Sequence, residues 1–103
     1  MRRANRTDTN HKEIVAKFRS LGFFVHDISA LKNCCDLVVT KGLTAYIEVK
    51  DGQRVPSERK LTDGEIKFRD DVLAKGGMWY LVESEIDVEK VYLKFNSYER
   101  KEN

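Results

Sequence analysis

The sequence is short of the features that announce most functional classes. It has two cysteines in 103 residues, and they are neighbours. Cys34 and Cys35 fit neither the spacing of a zinc site nor that of a redox motif, and adjacent cysteines rarely bond to each other. Reduced thiols in a cytoplasmic protein are the expectation. No apolar run is long enough to cross a bilayer and no signal-peptide pattern is present, so neither a membrane-spanning nor a secreted chain is expected. There is no G-x-x-x-x-G-K, no Rossmann glycine pattern and no Ser/His/Asp set, which leaves P-loop nucleotide hydrolysis and hydride transfer without support. Internal repeats and low-complexity segments are also missing. Charge of one sign is nearly balanced by the other: the net +2 is too small to imply a nucleic-acid partner by itself.

What is present is a chain of ordinary globular composition, 41% hydrophobic and 35% charged, of a length that suits one domain with one core and excludes a second module. Its basic residues are clustered. Arg2, Arg3 and Arg6 crowd the N-terminus, while Arg54, Arg59 and Lys60 crowd a central loop. Such clusters are solvated faces unless something else points to phosphate. Residues 1–8 lack apolar period and read as a flexible basic arm; 9–99 read as the domain and 100–103 as a charged tail.

Along the domain, Asn10 and Glu13 have the spacing of a helix cap, and Ile14, Val15, Phe18 and Leu21 form one stripe that Gly22 ends. "FFVHDIS", "CDLVVTK" and "TAYIEVK" read as three strands. "DGQRVPSERK", with the chain's only proline, reads as a loop. "TDGE" at Thr62 to Glu65 is a capping box opening a second helix that Gly76 and Gly77 stop. "MWYLV" is a short buried strand, with Trp79 and Tyr80 as core residues. After Ser84, the residues Val88, Val91, Tyr92 and Phe95 make the stripe of a last helix. The order helix, three strands, helix, strand, helix predicts a mixed sheet flanked by helices, of α/β or α+β class.

The informative stretch is "CCDLVVTKGLTAYIEVKDG". Alternation puts Tyr46, Glu48 and Lys50 on one face of their strand, and Asp36, Val38 and Thr40 on one face of theirs. The turn decides whether the two acids meet. A two-residue loop at Gly42-Leu43 sets Asp36 against Val49, whereas a three-residue loop, Lys41 to Leu43 with Gly42 at positive φ, sets Asp36 opposite Glu48. The second register, or an equivalent bulge, is the expectation. Two carboxylates and an ammonium then converge. Unpaired carboxylates so close raise each other's pKa, and a divalent cation removes the conflict. Hard oxygen ligands suit Mg²⁺ or Mn²⁺, which can activate a water and stabilise charge on a phosphate oxygen. The same spacing also fits an inert salt-bridge ladder on a solvent-facing sheet. Against the ladder, "DLVV" and "YIEVK" are apolar on both faces, which predicts a sheet covered on both sides.

Asp36 followed by Glu48-Val49-Lys50, after a helix containing Glu13, resembles the core of PD-(D/E)XK nucleases with a restriction-endonuclease-like fold. From about His11 to about Val82 the chain is similar to stand-alone VRR-NUC domains and to archaeal-type Holliday-junction resolvases. The resemblance implies that Asp36, Glu48 and the backbone carbonyl of Val49 hold the metal. It makes Lys50 the motif's lysine and Glu13 the helix acid that binds metal directly or through water. Glu65 stands where the family usually carries a glutamine, and Asn33-Cys34-Cys35 stands where it usually has a Gly- or Pro-containing turn. Stand-alone relatives imply a homodimer acting on DNA, branched or duplex, most characteristically the four-way junction.

Glu13 and Glu65 each have another reading as the third residue of a capping box. Glu65 also falls in the arc of Ile66, Phe68, Val72 and Leu73, which turns it inward; Glu13 lies off its helix's stripe and can pair with Lys17 in solvent. His11 and His26 read as hydrogen-bonded structural residues. Arg54, Arg59 and Lys60, just after Lys50, are candidates to grip DNA phosphates, as are Arg2, Arg3 and Arg6. The last helix offers Tyr92, Leu93, Phe95 and Tyr98 as a dimer surface. The resulting expectation is a metal-dependent, structure-selective DNA endonuclease in the cytoplasm, of a kind that suits a phage. The alternatives are a flap, nicking or restriction-like nuclease, or a non-catalytic nucleic-acid-binding domain.

Overall fold

A computed structural model describes residues 9–101, with side chains through residue 98. The basic arm with Arg2, Arg3 and Arg6 lies outside the described residues, as do Glu102 and Asn103. The fold is α+β. The helix α1 (His11–Ser20) precedes the strands β1 (Phe24–Asp27), β2 (Leu37–Lys41) and β3 (Leu43–Val49). After them come a 3₁₀ turn (Pro56–Glu58), the helix α2 (Asp63–Ala74), the strand β4 (Trp79–Val82) and the helix α3 (Glu85–Lys101). The strands form one sheet in the order β1-β2-β3-β4. The first two pairings are antiparallel and β3 pairs parallel with β4, so the sheet is mixed.

Each boundary has a local cause. Gly22, at φ 93°, lets the chain leave α1, a conformation that side chains with a Cβ resist. Thr62 and Glu65 complete both bonds of the capping box on α2. Asn10 behaves differently from the cap that its position suggests. Its side chain makes no cap hydrogen bond; instead Nδ2 donates to the carbonyls of Lys50 (3.2 Å) and Glu83 (3.1 Å). One amide thus ties together the ends of β3 and β4.

Strand alternation separates the two sheet faces. Val25, Leu37, Val39, Ala45, Ile47, Val49 and Val82 point to one face and join Ile14, Val15 and Phe18 of α1 and Val88, Val91 and Phe95 of α3 in the core. Phe23 fills the corner, its ring edge-on to Phe18 and Phe95 at 5.1 Å each. Phe95 is fully buried and Tyr92 packs against the same cluster, so the expected dimer stripe is core at those positions; of the four, Leu93 and Tyr98 are exposed. The opposite face is covered only in part. There α2 lies over the β3–β4 half, with Phe68 edge-on to Tyr46 at 5.1 Å and Arg69 over the Trp79 ring. No residue of α2 is fully buried, and Phe24 on β1 is 66% exposed. Both-sided cover, expected from the apolar strands, therefore holds for the half that carries β3 and not for the outer half.

Candidate active site

The hairpin places the two acids together. Lys41 pairs with Leu43 around Gly42, which has φ 79°, and the ladder continues to Leu37 opposite Ile47. Beyond that pair the regular ladder ends, and Asp36, just before β2, bonds across to Ile47 as at a bulge. The Asp36 backbone donates to the Ile47 carbonyl (2.9 Å), and its side-chain Oδ2 accepts from the Val49 N–H at 2.7 Å. Glu48 is 2% exposed, and its Oε1 is buried without a hydrogen-bond partner. A carboxyl oxygen in that condition costs free energy in a site built for structure alone.

Lys50 lies on the same face. Its Nζ is 3.2 Å from Glu65 Oε1 and 3.7 Å from Glu48 Oε2, so the hydrogen bond goes to Glu65 and the Glu48 contact is a longer electrostatic one. Glu65 Oε1 also accepts the Thr62 N–H at 2.9 Å. The capping box therefore fixes the carboxylate that orients Lys50: the structural and the site roles of Glu65 are one arrangement.

Burial, followed by the charges of Asp36 and Glu65, pushes the Glu48 carboxyl up to about 10. Burial also raises Asp36, against the opposing effect of the Val49 N–H. Burial and mutual repulsion both act against two charges there, which favours retention of a proton by the pair when no cation is present. Among the described residues no three His, Cys, Asp or Glu side chains form a ready-made metal cage. The donor set is two carboxylates, one with an orphaned oxygen, beside an open cleft. That set fits a hard cation that completes its coordination with main chain, water and substrate. Asp36, Glu48 and Glu65 line the cleft, of about 500 Å³, together with the 29–35 loop and Thr62.

Other expected site residues lie elsewhere. Glu13 is exposed and lines a second hollow with Asn10, Asp51, Glu83 and Glu85, so α1 does not bring it to Asp36 and Glu48. The reason is helical phase: Ile14, Val15 and Phe18 face the core, and Glu13 lies off that stripe. His11 precedes Val15 by four residues and Phe18 by seven, which carries it inward. Its Nε2 is 2.8 Å from Asp27 Oδ2. Asp27 is held from its other oxygen by Ser29 N (3.0 Å) and Oγ (2.7 Å). Burial opposes ionisation of Asp27, but these bonds and His11 outweigh it and hold the carboxyl below its ordinary value.

The arginines of the central loop are engaged within the protein. Arg54 pairs with Glu58 (3.4 Å) and Asp51 (3.9 Å); Arg59 donates to the Arg54 carbonyl (2.7 Å) and to Glu83 (3.2 Å). Both arginines are thus engaged in contacts within the protein. Lys60 is exposed at the foot of α2. Lys32, which drew no attention in the sequence because it stands alone in a loop, is exposed and lines the cleft.

With this geometry in view, comparison with known proteins adds one finding. The chain has the fold of a solved VRR_NUC domain, with a TM-score of 0.60 at 22% identity over 79% of this chain and 87% of that one. No family model and no curated protein sequence matches it. Among the described residues no helix is long and apolar enough to cross a membrane.

Proposed function

We propose that the protein is a metal-dependent DNA endonuclease that hydrolyses phosphodiester bonds. The observation that carries this reading is the buried Asp36–Glu48 pair, whose Glu48 Oε1 has no hydrogen-bond partner and which stands beside Lys50 in an open cleft. The shared fold with a VRR_NUC domain supports it. Asp36, Glu48 and the carbonyl of Val49 are the groups that would hold Mg²⁺ or Mn²⁺. When bound, the cation compensates both carboxylates and supplies Lewis-acid assistance at the phosphate.

The protein's own groups do the rest. Asp36 is held in place by the Val49 N–H, so that carboxylate is preorganised. Lys50, aimed by Glu65, orients the attacking water and offsets charge on the phosphate oxygens. The water oxygen forms the new bond to phosphorus as the bond to the leaving sugar oxygen breaks. Lys32 and Lys60 are exposed cations able to contact the flanking phosphates.

A domain this small spans little duplex, and a four-way junction presents two symmetric cleavage points; a homodimer with two sites matches that substrate. We therefore take resolution of junctions in the cytoplasm as the leading form of the activity. The test is cleavage of matched four-way-junction, flap and linear duplex DNA with Mg²⁺, Mn²⁺ or chelator, for wild type and Lys50→Ala. Paired symmetric cuts that require metal and disappear in the variant support a dimeric resolvase. Cutting of flaps or linear duplex instead keeps the nuclease and replaces its substrate. Activity absent throughout, or equal in the variant, returns the hairpin to an inert salt-bridge ladder.

A further inference from the structure

One wall of the cleft is irregular chain, residues 29–35, with Lys32 exposed on it. Chain without helix or strand keeps its place through individual bonds. Toward β2, Asn33 takes a left-handed conformation at φ 55° and packs so closely on α2 that a Cβ on Gly64 would come within 1.9 Å of its Oδ1. Nearer β1, the Leu31 N–H donates to the Ile28 carbonyl (2.9 Å), and the Ile28 N–H to the Asp36 carbonyl (2.8 Å).

The β1 end of the wall is fastened from a different element. Asp27 is the last residue of β1, an edge strand that has β2 on one side. Its Oδ1 accepts the Ser29 N–H (3.0 Å) and hydroxyl (2.7 Å), and its Oδ2 lies 2.8 Å from His11 Nε2. A carboxylate engaged at both oxygens has a fixed orientation, and Ser29 follows it. His11 has a fixed origin in turn: α1 is anchored in the core by Ile14, Val15 and Phe18, and the His11 side chain is 12% exposed. The connection therefore runs from the core through His11, Asp27 and Ser29 into the wall that carries Lys32.

We propose that His11 is a positioning residue for DNA binding: through Asp27 and Ser29 it holds the 29–35 wall where Lys32 meets a phosphate flanking the scissile one. The role toward DNA rests on the nuclease reading; the tether rests on the hydrogen bonds alone. A flanking phosphate is held equally before and during bond breaking, so a displaced Lys32 weakens binding without slowing the chemical step.

The test measures KM and kcat on junction DNA, and hydrogen exchange of the 29–35 amides, for wild type, His11→Ala, His11→Gln, Lys32→Ala and the double variant His11→Ala/Lys32→Ala. Losing an exposed charge contact corresponds to about a two- to fivefold change in binding. His11→Ala should raise KM by that factor, leave kcat within about twofold and speed exchange across the wall. His11→Gln, whose amide nitrogen stands in for Nε2, should restore both. The double variant should bind no more weakly than Lys32→Ala alone, because the two residues act in series. A lower kcat at unchanged KM, additive losses, or a glutamine that restores nothing overturns the proposal. If His11→Ala does not fold, Ser29→Ala replaces it: a raised KM with faster exchange supports the tether, and unchanged values refute it. If wild type cuts no DNA, the nuclease reading has failed, and the Kd for the same junction takes the place of KM. Equal Kd and equal exchange in wild type and His11→Ala then refute the proposal.

Discussion

Replacing Glu48 with glutamine should change how the metal-free protein responds to pH. Glu48 titrates near 4.5 as an ordinary carboxyl, and burial beside Asp36 and Glu65 moves it to about 10 in the folded chain. Between those values the unfolded chain has released a proton that the folded chain still holds. Raising the pH therefore favours unfolding: the stability is complete below 4.5 and declines as pH climbs toward the folded value. One proton is worth about 1.36 kcal/mol per pH unit, so the loss from pH 5 to pH 7 reaches up to about 2.7 kcal/mol. In a domain of this size that corresponds to a Tm change on the order of 10–20 °C. Asp36, also raised, acts in the same direction. Glutamine keeps a donor for Asp36 and cannot ionise, so the variant should lack this component of the slope. Urea melts at pH 5, 6 and 7 in chelator measure it. Saturating Mg²⁺ should flatten the wild-type curve by favouring the ionised pair, and do little to the variant. Parallel pH curves for the two proteins in chelator would refute the reasoning.

Further outcomes follow from contacts elsewhere. Gly64→Ala drives a Cβ to within 1.9 Å of Asn33 Oδ1, and the overpacking, about 1–3 kcal/mol, should exceed the roughly 1 kcal/mol gained from helix propensity. Adding Asn33→Gly, which suits φ 55°, should restore most of the loss in the same denaturation assay. Asn10→Ala removes the side-chain donor from the Lys50 carbonyl and leaves the Glu83 carbonyl with the Gly52 N–H, and should cost roughly 1–3 kcal/mol in urea melts. Thr62→Ala should cost about 1 kcal/mol by uncapping α2. Glu65→Gln, which keeps the acceptor for Thr62 N–H, should stay within about 0.5 kcal/mol of wild type.

The parts of this protein that the sequence makes legible are those whose determinants are close together along the chain. The hairpin register follows from Gly42 and the alternation of its flanking strands; the α2 cap is spelled out between Thr62 and Glu65. The order of elements along the chain and the helix faces follow from periodicity of the same local kind. Asn10 was illegible as a staple because its partners are forty and seventy-three residues away, and nothing near Asn10 distinguishes a staple from a cap. Arg54 and Arg59 read as a basic patch because the acids that engage them include Glu83, from a different strand end. Glu13 illustrates the opposite failure. Its helix phase already pointed away from the core, and the family resemblance outweighed that arithmetic. For His11 the phase was equally available: it shares the stripe of Val15 and Phe18 and lies beside Asp27.

The members of the candidate site, Asp36 through Glu65, come from one uninterrupted stretch of chain, with α1 and α3 serving as backing. A site of this construction behaves as a cassette. Segments can lengthen or shorten at the α1–β1 and α2–β4 connections without changing the spacing between any two of its members. Bringing Asp36 to Glu48 costs little chain entropy, because it closes a short hairpin and does not join residues from opposite ends of the domain.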